Sequence, residues 1–331
     1  MNIPDPALRT RLLPADSAGL DAAAALLDDG ACVAFPTETV YGLGGDATQP
    51  LAVARIYAAK SRPAFNPLIA HVPDLAAAAR EGVLDRTAEA LARAFWPGPL
   101  TLIVPRRPEG TVCDLATAGM DSVALRVPSH PVALSLLQRV GRPVAAPSAN
   151  RSGRVSPTTA AHVLADLDGV IAAVVDGGAS PVGVESTIVA CLDGSARLLR
   201  PGGITRDAIE AVLGRALDVA PDSPADRPLA PGLLASHYAP VAPVRLDAVD
   251  IRPGEAALLF GPQHPVGLDQ AVAAINLSPG GDLVEAAAAL FAALRQLDAL
   301  APTAIAVVRI PALGLGEAIR DRLMRAAAPR V

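Results

Sequence analysis

The sequence predicts an α/β protein, because short apolar runs alternate along it with alanine-rich segments of helical spacing. A first series of such segments occupies 20–213, and the alternation resumes at 244. Between them, 214–243 is rich in proline and longer than the connections that compact domains normally contain. A chain of 331 residues is long enough for two domains. We therefore expect one domain at 1–213, a linker at 214–243 and a small, Rossmann-like three-layer α/β domain at 244–331.

The first series predicts helices with recognisable ends. Gly30 follows the first helix, Pro63 stops the second, and Thr205 caps the last. The expected helices are 20–28, 51–60, 74–95 in two pieces, 131–140, 158–167 and 205–213. The expected strands are 31–35, 67–72, 100–105, 122–128, 143–147, 172–176, 186–192 and 196–200. The polar, glycine-rich segment 36–47 is expected to be a loop.

The second series is shorter and predicts a smaller unit. Its expected strands are 244–249, 256–261, 272–277 and 304–310, and its expected helices are 283–300 and 316–327.

Composition excludes several classes of protein. A formal net charge of −5 argues against a chain held to nucleic acid by bulk charge alone. No apolar run approaches the ~20 residues of a membrane span, and the first residues contain no signal-peptide core. Three cysteines without a CxxC pair indicate neither a disulfide framework nor a zinc site. We expect a soluble protein of the cytoplasm.

Among the 28 basic residues, 27 are arginine and one is lysine, Lys60. A bias of this strength is typical of a GC-rich coding sequence and says little about chemistry. Whatever keeps Lys60 a lysine is therefore expected to be local.

Candidate binding residues cluster in irregular segments, where function concentrates. Neither GxxxxGK[ST] nor GxGxxG after a strand is present, so a phosphate site must use another cradle. Lys60 and Arg62 end a predicted helix and precede Asn66. They could clamp an anion, or they could merely complement the helix dipole. His71 lies in an apolar strand, where a histidine more often belongs to the core.

Two further segments carry hydroxyl and amide groups. Ser148 and Asn150 follow an apolar strand, at the kind of strand end where open α/β sheets bind ligands, although an ordinary turn has the same composition. Ser156 extends this polar run. Ser186, in the segment 183–187, could bind a small polar ligand or satisfy the loop backbone.

Two arginines, Arg126 and Arg200, lie in or at the end of apolar segments. An arginine in such surroundings is seldom left unpaired. Each is either part of an ion pair or a receptor for a carboxylate.

Taken together, the motifs resemble a known family. They occur in the order FPTETVYGLG (35–44), KSR (60–62), NPLIAHV (66–72), FWPGPLT (95–101), RVPSHP (126–131), AAPSAN (145–150), DGG with GVESTIV (176–189), LLRPG (198–202) and APG with HYAP (230–240). The set resembles the YrdC-like family, specifically its long form, the threonylcarbamoyl-AMP synthases with an added C-terminal domain. The resemblance is dense over roughly 20–213 and looser beyond.

The resemblance implies a twisted, open α/β sheet with a concave, positively lined cavity. It also implies a nucleotidyltransferase that makes L-threonylcarbamoyladenylate and pyrophosphate from L-threonine, bicarbonate or CO₂, and ATP. Mg²⁺ is expected on the ATP phosphates rather than on a protein metal site. The product is used in modifying tRNA next to the anticodon, through downstream threonylcarbamoyl transferase proteins, so tRNA is expected as an indirect partner. No membrane partner is implied.

The resemblance also assigns roles to residues. The catalytic basic and polar set falls on Lys60, Arg62, Ser148 and Asn150. Threonine binding falls on Thr39, His71, Arg126, Ala146 and Ser186. ATP binding falls on Arg62, Asn66, Ser122, Ser148, Ser156, Arg200 and Tyr238, the last being in the linker, which the family passes across the active site.

Two other functions remain open on the sequence. A YrdC-like fold could hold double-stranded or transfer RNA in a basic cavity without catalysis, which the acidic net charge weakens. The related carbamoyl-transfer enzymes of hydrogenase maturation carry zinc fingers, for which this sequence has no CxxC pairs.

Overall fold

The computed structural model describes residues 9–63, 65–218 and 237–329, and its strands form two sheets. The α/β class expected from the sequence is confirmed. The strands of the first sheet are β1 (Arg11–Pro14), β2 (Val33–Phe35), β3 (Gly42–Asp46), β4 (Ile69–His71), β5 (Leu100–Pro105), β6 (Ser122–Arg126), β7 (Val144–Ala145), β8 (Ala173–Asp176), β9 (Thr187–Ala190) and β10 (Arg197–Arg200). The helices of this part are α1 (Ser17–Asp28), α2 (Pro50–Lys60), α3 (Leu75–Glu81), α4 (Arg86–Phe95), α5 (Asp114–Thr117), α6 (Pro131–Val140), α7 (Ala160–Leu167) and α8 (Arg206–Leu213).

The first sheet is large and mixed. Its order is β1-β8-β2-β3-β7-β4-β6-β5-β9-β10. Strand β4 pairs in parallel with β6 and antiparallel with β7, so the middle of the sheet combines both directions. In the β4–β6 pair His71 is the register partner of Arg126, which places the two side chains next to each other on one face. This register builds the centre of the site described below.

The prediction of a loop over the whole of 36–47 is wrong, because Gly42–Asp46 forms the buried strand β3. The glycines make this strand possible. A Cβ on Gly44 would lie 2.7 Å from the Phe35 ring, and one on Gly45 would lie 2.9 Å from Ile56. They are therefore packing residues of a crowded sheet rather than turn residues.

Most other elements match the sequence prediction within a few residues, with shorter strands. Three short elements had no counterpart in it: β1, α5 and a 3₁₀ turn at Leu268–Gln270. Strand β1 is an edge strand with mostly exposed side chains, so it lacks the apolar run that identified the other strands.

The second sheet is wholly parallel and has the order β11-β14-β12-β13. Its elements are β11 (Val244–Arg245), β12 (Ala256–Leu259), β13 (Ala274–Asn276), α9 (Leu283–Asp298), β14 (Ile305–Val307) and α10 (Leu315–Ala327). Helix α9 packs on β12 and β13, α10 packs on β11, and the two helices contact each other.

The two sheets are joined by close packing between their elements. Gly183, with a φ of 74°, lies against α9 so closely that a Cβ there would be 2.3 Å from the Ala287 carbonyl oxygen. Arg295 of α9 reaches across to Asp166 of α7 at 2.7 Å. Of the predicted linker 214–243, residues 219–236 lie outside the described part. The described residues of this segment, 214–218 and 237–243, contain no helix and no strand. The domain boundaries themselves stay a prediction.

None of the helices in the described ranges is long and apolar enough to cross a bilayer.

Crowding around β3 gives a stability prediction. Gly44→Ala should lower the free energy of unfolding by about 1–3 kcal/mol, because the added methyl group meets Phe35 and Val144 in a filled core. Urea unfolding measures the change. The matched control is Gly280→Ala, at an exposed glycine where an added Cβ meets nothing within 4 Å. Equal unfolding midpoints for the two variants would contradict this account of β3.

Candidate active site

A cavity in the first sheet collects most of the polar residues that the sequence singled out. Its lining comes from strands, from segments next to strands, from the end of α2 and from 237–238 in the predicted linker. The lining residues are Thr39, Val40, Arg62, Ile69, His71, Arg126, Ala146, Pro147, Ser148, Glu185, Ser186, Arg200, His237 and Tyr238. Of the predicted residues, Lys60, Asn66, Ser122, Asn150 and Ser156 do not line it.

Two of the lining arginines are held by backbone carbonyls. Arg62 donates from Nη2 to the Pro67 oxygen at 3.1 Å and from Nε to the Asn66 oxygen at 3.4 Å. Arg200 donates from Nε and Nη2 to the Ser186 oxygen at 3.2 and 2.9 Å. Burial lowers the pKa of Arg62 to about 10, so it remains protonated at neutral pH. Carbonyl groups orient both cations at the cavity wall, where Glu185 also interacts electrostatically with Arg200.

Arg126 resolves one alternative that the sequence left open. Its Nη2 donates to Glu38 Oε1 at 2.7 Å and to Thr39 Oγ1 at 3.0 Å, and both charged side chains are buried. Glu38 also accepts from the Ser129 N–H at 3.1 Å. Arg126 is therefore in an ion pair and lines the cavity as well. Its Nε is buried and has no hydrogen-bond partner among the described residues, so it retains donor capacity.

Lys60 is a buried clamp rather than a cavity residue. Its side chain is fully enclosed, and Nζ donates to the carbonyl oxygens of Ser148 and Asn150, each at 2.5 Å. Interaction with the helix dipole therefore does not by itself account for Lys60, because an exposed lysine would interact with the dipole equally well. Burial and the neighbouring Arg62 lower the pKa of Lys60. The ammonium group fixes the conformation of the loop that presents Ser148 to the cavity.

Asn150 completes the same loop. Its Nδ2 donates to the carbonyls of Arg151 at 2.9 Å and of Arg154 at 2.8 Å, so the amide braces the chain that follows. Ser148 is the member of this loop that reaches the cavity. The catalytic set expected from the sequence thus divides into two residues that line the cavity and two that hold its wall.

Asn66 lies just behind the cavity lining. Both polar atoms of its side chain are buried and have no hydrogen-bond partner in the described part of the chain. Unsatisfied buried amides are rare in native proteins, which makes this side chain a candidate for contact with a bound polar group. Its neighbour Arg62 is bonded to the Asn66 carbonyl, so a ligand on Arg62 would be close to this amide.

The hydroxyl groups of the cavity are organised in pairs. Thr39 Oγ1 lies 2.8 Å from Thr37 Oγ1 and also accepts from Arg126. Ser186 Oγ lies 2.7 Å from Thr101 Oγ1. Each pair leaves lone pairs or a proton available to a polar ligand.

Two histidines of the cavity are uncharged at neutral pH. Burial and the nearby Arg126 lower the pKa of His71 from 6.5 to about 3. Burial and Arg62 likewise lower the pKa of His237 to about 3. The Tyr238 N–H donates to His237 Nδ1 at 2.9 Å, which assigns the proton of the neutral ring to Nε2. Neither ring adds to the positive charge of the cavity.

Besides Asn66, two of the residues assigned to ATP do not line the cavity. Ser122 starts β6, four residues from Arg126, and so is displaced by about 13 Å along the strand. Ser156 donates to Glu185 Oε1 at 2.5 Å and contributes through that carboxylate, which does line the cavity.

Comparison with known proteins decides the family. A Sua5/YciO/YrdC model, described as "Telomere recombination", matches residues 25–202, and a model described as "Threonylcarbamoyl-AMP synthase, C-terminal domain" matches 204–328. This chain belongs to the Sua5/YciO/YrdC family. The resemblance drawn from the motifs is confirmed, including the long form.

Relatives of this family agree over nearly the whole chain. The threonylcarbamoyl-AMP synthase of Bacillus subtilis (strain 168) is 43% identical over 93% of this chain and 93% of its own. The crystal structure of Pyrococcus abyssi Sua5 complexed with L-threonine is 36% identical, with a TM-score of 0.88 over 96% of this chain and 98% of the other. A P. abyssi Sua5 variant with an adjacent histidine and tyrosine replaced by alanine gives a TM-score of 0.86 at 34% identity over 96% of both chains. The chain is accordingly a nucleotidyltransferase-type enzyme.

The family motifs contain site residues that sequence reasoning passed over. Glu38, Glu185 and His237 all lie inside quoted motifs, but they were assigned no role. The sequence did contain a signal for Glu38. It is a carboxylate one residue from Thr39, in a segment that the resemblance places at the same site as Arg126. Arg322 of α10 donates from Nε to Glu185 Oε2 at 2.8 Å. The sequence gave no signal for this contact, because nothing in it brings Arg322 near residue 185.

The clamp gives a prediction for the single lysine. Lys60→Met should lower the free energy of unfolding by about 2–5 kcal/mol, because it leaves two buried carbonyls without a donor. Lys60→Arg should also be destabilising, by about 1–3 kcal/mol, since a larger planar group must fit a filled pocket. Denaturant unfolding measures both. Wild-type stability of Lys60→Arg would mean that the lysine is there by chance.

The neutral histidines give a pH prediction. In the unfolded chain a histidine takes up a proton below about pH 6.5, whereas folded His71 does so only near pH 3. The contribution of neutral His71 to the free energy of unfolding is therefore fully present above about pH 6.5. It falls as the pH drops towards 3, by about 1.4 kcal/mol per pH unit for each such histidine. Unfolding free energies between pH 7 and 5 should show a shallower slope in His71→Asn. The exposed His264→Asn is the control, and an unchanged slope in His71→Asn would refute the assignment.

Proposed function

We propose that this enzyme is an L-threonylcarbamoyladenylate synthase, which forms threonylcarbamoyl-AMP and pyrophosphate from L-threonine, bicarbonate or CO₂, and ATP. The observation that carries the proposal is one cavity in which carbonyl-held Arg62 and Arg200 face the paired Arg126–Thr39 and the Ser186 hydroxyl. Cations held at the cavity wall by carbonyl groups suit a triphosphate, and the donor group beside them suits an amino acid. The names of the relatives support the same reaction.

The threonine site is proposed at Thr39, His71, Arg126, Ala146 and Ser186. The P. abyssi relative bound to L-threonine supports an amino-acid site in this fold. The threonine carboxylate would take the free donor capacity of Arg126, next to the Thr39 hydroxyl. Neutral His71 suits this position, because it accepts or donates one hydrogen bond without a charge that would compete with Arg126.

The ATP site is proposed at Arg62, Asn66, Ser148, Arg200 and Tyr238, with Ser156 acting through Glu185 and Ser122 further along β6. The unpartnered amide of Asn66 supports a ligand beside Arg62. The described residues include no group of three or more His, Cys, Asp or Glu side chains that could hold a metal ion. We therefore propose that Mg²⁺ arrives on the ATP phosphates, where oxygen ligands suit it.

The reaction needs positioning more than a covalent nucleophile. The neutral threonine amine attacks the carbon of bicarbonate, the new C–N bond forms, and water leaves, giving the carbamate. A carbamate oxygen then attacks the α-phosphorus, and the bond to the bridging oxygen breaks to release pyrophosphate. Arg62 and Arg200 offset the charge that accumulates on the phosphate oxygens. Lys60 and Asn150 act by holding the loop of Ser148 in place.

The wider role follows from the product. Threonylcarbamoyl-AMP is an activated acyl donor, which we propose that downstream transferase proteins use to modify tRNA next to the anticodon. A cytoplasmic location fits this role. The His237–Tyr238 pair lines the same cavity and is proposed to contribute to it.

The defining experiment is product formation by the full chain. ATP should be converted to pyrophosphate only when L-threonine and bicarbonate are both present, with threonylcarbamoyl-AMP detected by mass spectrometry. Pyrophosphate release independent of threonine would contradict the proposal. RNA binding without turnover would favour the alternative of a binding module.

Arg62 provides a site-specific test. Arg62→Gln should lower kcat/KM for ATP by about 10- to 100-fold, because it removes a buried charge that faces the phosphates. Unfolding measurements check that the variant is folded. Arg86→Gln, at an exposed arginine of α4, should keep wild-type kinetics. Near-normal turnover of Arg62→Gln would remove Arg62 from the active site.

A further inference from the structure

Glu38 ties together three segments of the chain beside the cavity. It lies between β2 and β3, and its carbonyl oxygen accepts a hydrogen bond from the Val182 N–H at 2.8 Å. Its side chain is buried, with Oε2 accepting from the Ser129 N–H at 3.1 Å and Oε1 accepting from Arg126 Nη2 at 2.7 Å. Because main chain and side chain are both held, Glu38 is a fixed point for Arg126 at the end of β6.

The ion pair anchors one end of the Arg126 guanidinium. Its Nη2 carries two protons, and it donates to Glu38 Oε1 and to Thr39 Oγ1, so both are used. Arg126 Nε is buried without a hydrogen-bond partner among the described residues, and the arginine lines the cavity. A carboxylate in the cavity would therefore meet a guanidinium whose orientation is already set.

The other neighbours of Arg126 hold it less firmly than Glu38 does. His71, its register partner on β4, is uncharged at neutral pH, because burial and Arg126 lower the pKa of His71 to about 3. Thr39 accepts one hydrogen bond from Arg126, but its hydroxyl also lies 2.8 Å from Thr37 Oγ1. Glu38 is the ion-pair partner of Arg126 within the described ranges. The orientation of Arg126 thus depends mainly on this carboxylate.

A buried ion pair contributes little net stability, because both ions lose their hydration. Its effect on the cavity is geometric, since a guanidinium and a carboxylate pair in a narrow range of orientations. Charge compensation alone would weaken the attraction of Arg126 for a second carboxylate, whereas a fixed orientation would strengthen the binding of one. The two effects have opposite signs, so binding measurements can separate them.

We propose that Glu38 is a positioning residue for threonine, which holds Arg126 in the orientation that receives the substrate carboxylate. The proposal rests on the function proposed above, since it specifies how the threonine side of the same cavity is assembled. Glu38 acts on the carboxylate group of one substrate, so a change there affects threonine more than ATP.

Glu81 provides a matched control. It is a buried glutamate at the end of α3, and it does not line the cavity. Its carboxylate accepts from the Thr111 N–H at 2.6 Å and from the Val112 N–H at 3.0 Å, rather than from an arginine. Glu81→Gln therefore changes a buried, hydrogen-bonded carboxylate without altering Arg126.

The experiment compares L-threonine with L-threoninamide, which lacks the anionic carboxylate, by calorimetry on the full chain. The wild type should bind L-threonine about 10-fold or more tightly than the amide. Glu38→Gln should weaken the Kd for L-threonine by about 10- to 100-fold and that for the amide by less than about threefold, because only the former uses the orientation of Arg126. The Kd for ATP should change by less than about threefold, since the effect acts through Arg126. Glu81→Gln should keep the wild-type Kd values, and thermal unfolding reports any loss of stability separately.

A double variant tests whether Glu38 acts through Arg126. Arg126→Gln should itself abolish the preference for L-threonine over the amide, because the cation is removed. Adding Glu38→Gln to Arg126→Gln should then leave the ratio of the two Kd values unchanged. A further fall in that ratio would overturn the proposal, because Glu38 would be acting on the carboxylate without Arg126.

The outcomes separate this proposal from the proposed function. Equal weakening of both ligands in Glu38→Gln would indicate a purely structural role, and tighter binding of L-threonine would indicate charge compensation alone; either would overturn the positioning role. The same loss of preference in Glu81→Gln would overturn it as well. A wild-type chain that binds L-threonine but makes no threonylcarbamoyl-AMP would overturn the function alone, and the Kd values would still decide Glu38. A wild-type chain that binds no L-threonine would overturn both.

Discussion

The burial of four cations around one cavity is the constraint on which the rest of the structure depends. Lys60, Arg62, Arg126 and Arg200 are each less than a tenth exposed. Removing a charge from water costs several kcal/mol unless the protein replaces the lost hydration. Three of the four are satisfied by backbone carbonyls, and one is paired with a carboxylate. The choice of partner decides how much positive charge remains for a ligand.

The four cations have different tasks as a result. Carbonyl groups orient Arg62 and Arg200 at the cavity wall, which suits a polyanion. Glu38 partly neutralises Arg126, whose remaining donor capacity suits a single carboxylate. Lys60 faces the protein on all sides and fixes a loop. A compact ammonium group on a flexible stem can serve two converging carbonyls in a space where a planar guanidinium would not fit.

The second sheet belongs to the same electrostatic system. Glu185 lies between cations of both parts of the chain, Arg200 on β10 and Arg322 on α10. The aromatic contact of Tyr238 with α9 and the close approach of Gly183 to the same helix tie the cavity to this sheet. A catalytic cavity whose wall is shared in this way has a geometry that depends on the packing of the two sheets.

The sequence by itself determined the α/β class, nearly all helices and strands, the family and the segments that form the site. Those features rest on local periodicity and on motifs, which are properties of neighbouring residues. It misjudged the glycine-rich segment of β3, because glycines that permit close packing look the same in sequence as glycines that permit a turn. It also grouped Lys60 with Arg62, although their side chains face different surroundings.

Only the tertiary structure decided which polar residues touch the cavity and which support it. The partners of Lys60 are 88 and 90 residues away, that of Arg126 is 88 residues away, and that of Arg322 is 137 residues away. Charge compensation in a protein interior acts over a few ångströms, whatever the separation along the chain. Residue types can therefore be read from the sequence, but their division between binding and positioning depends on the fold that brings them together.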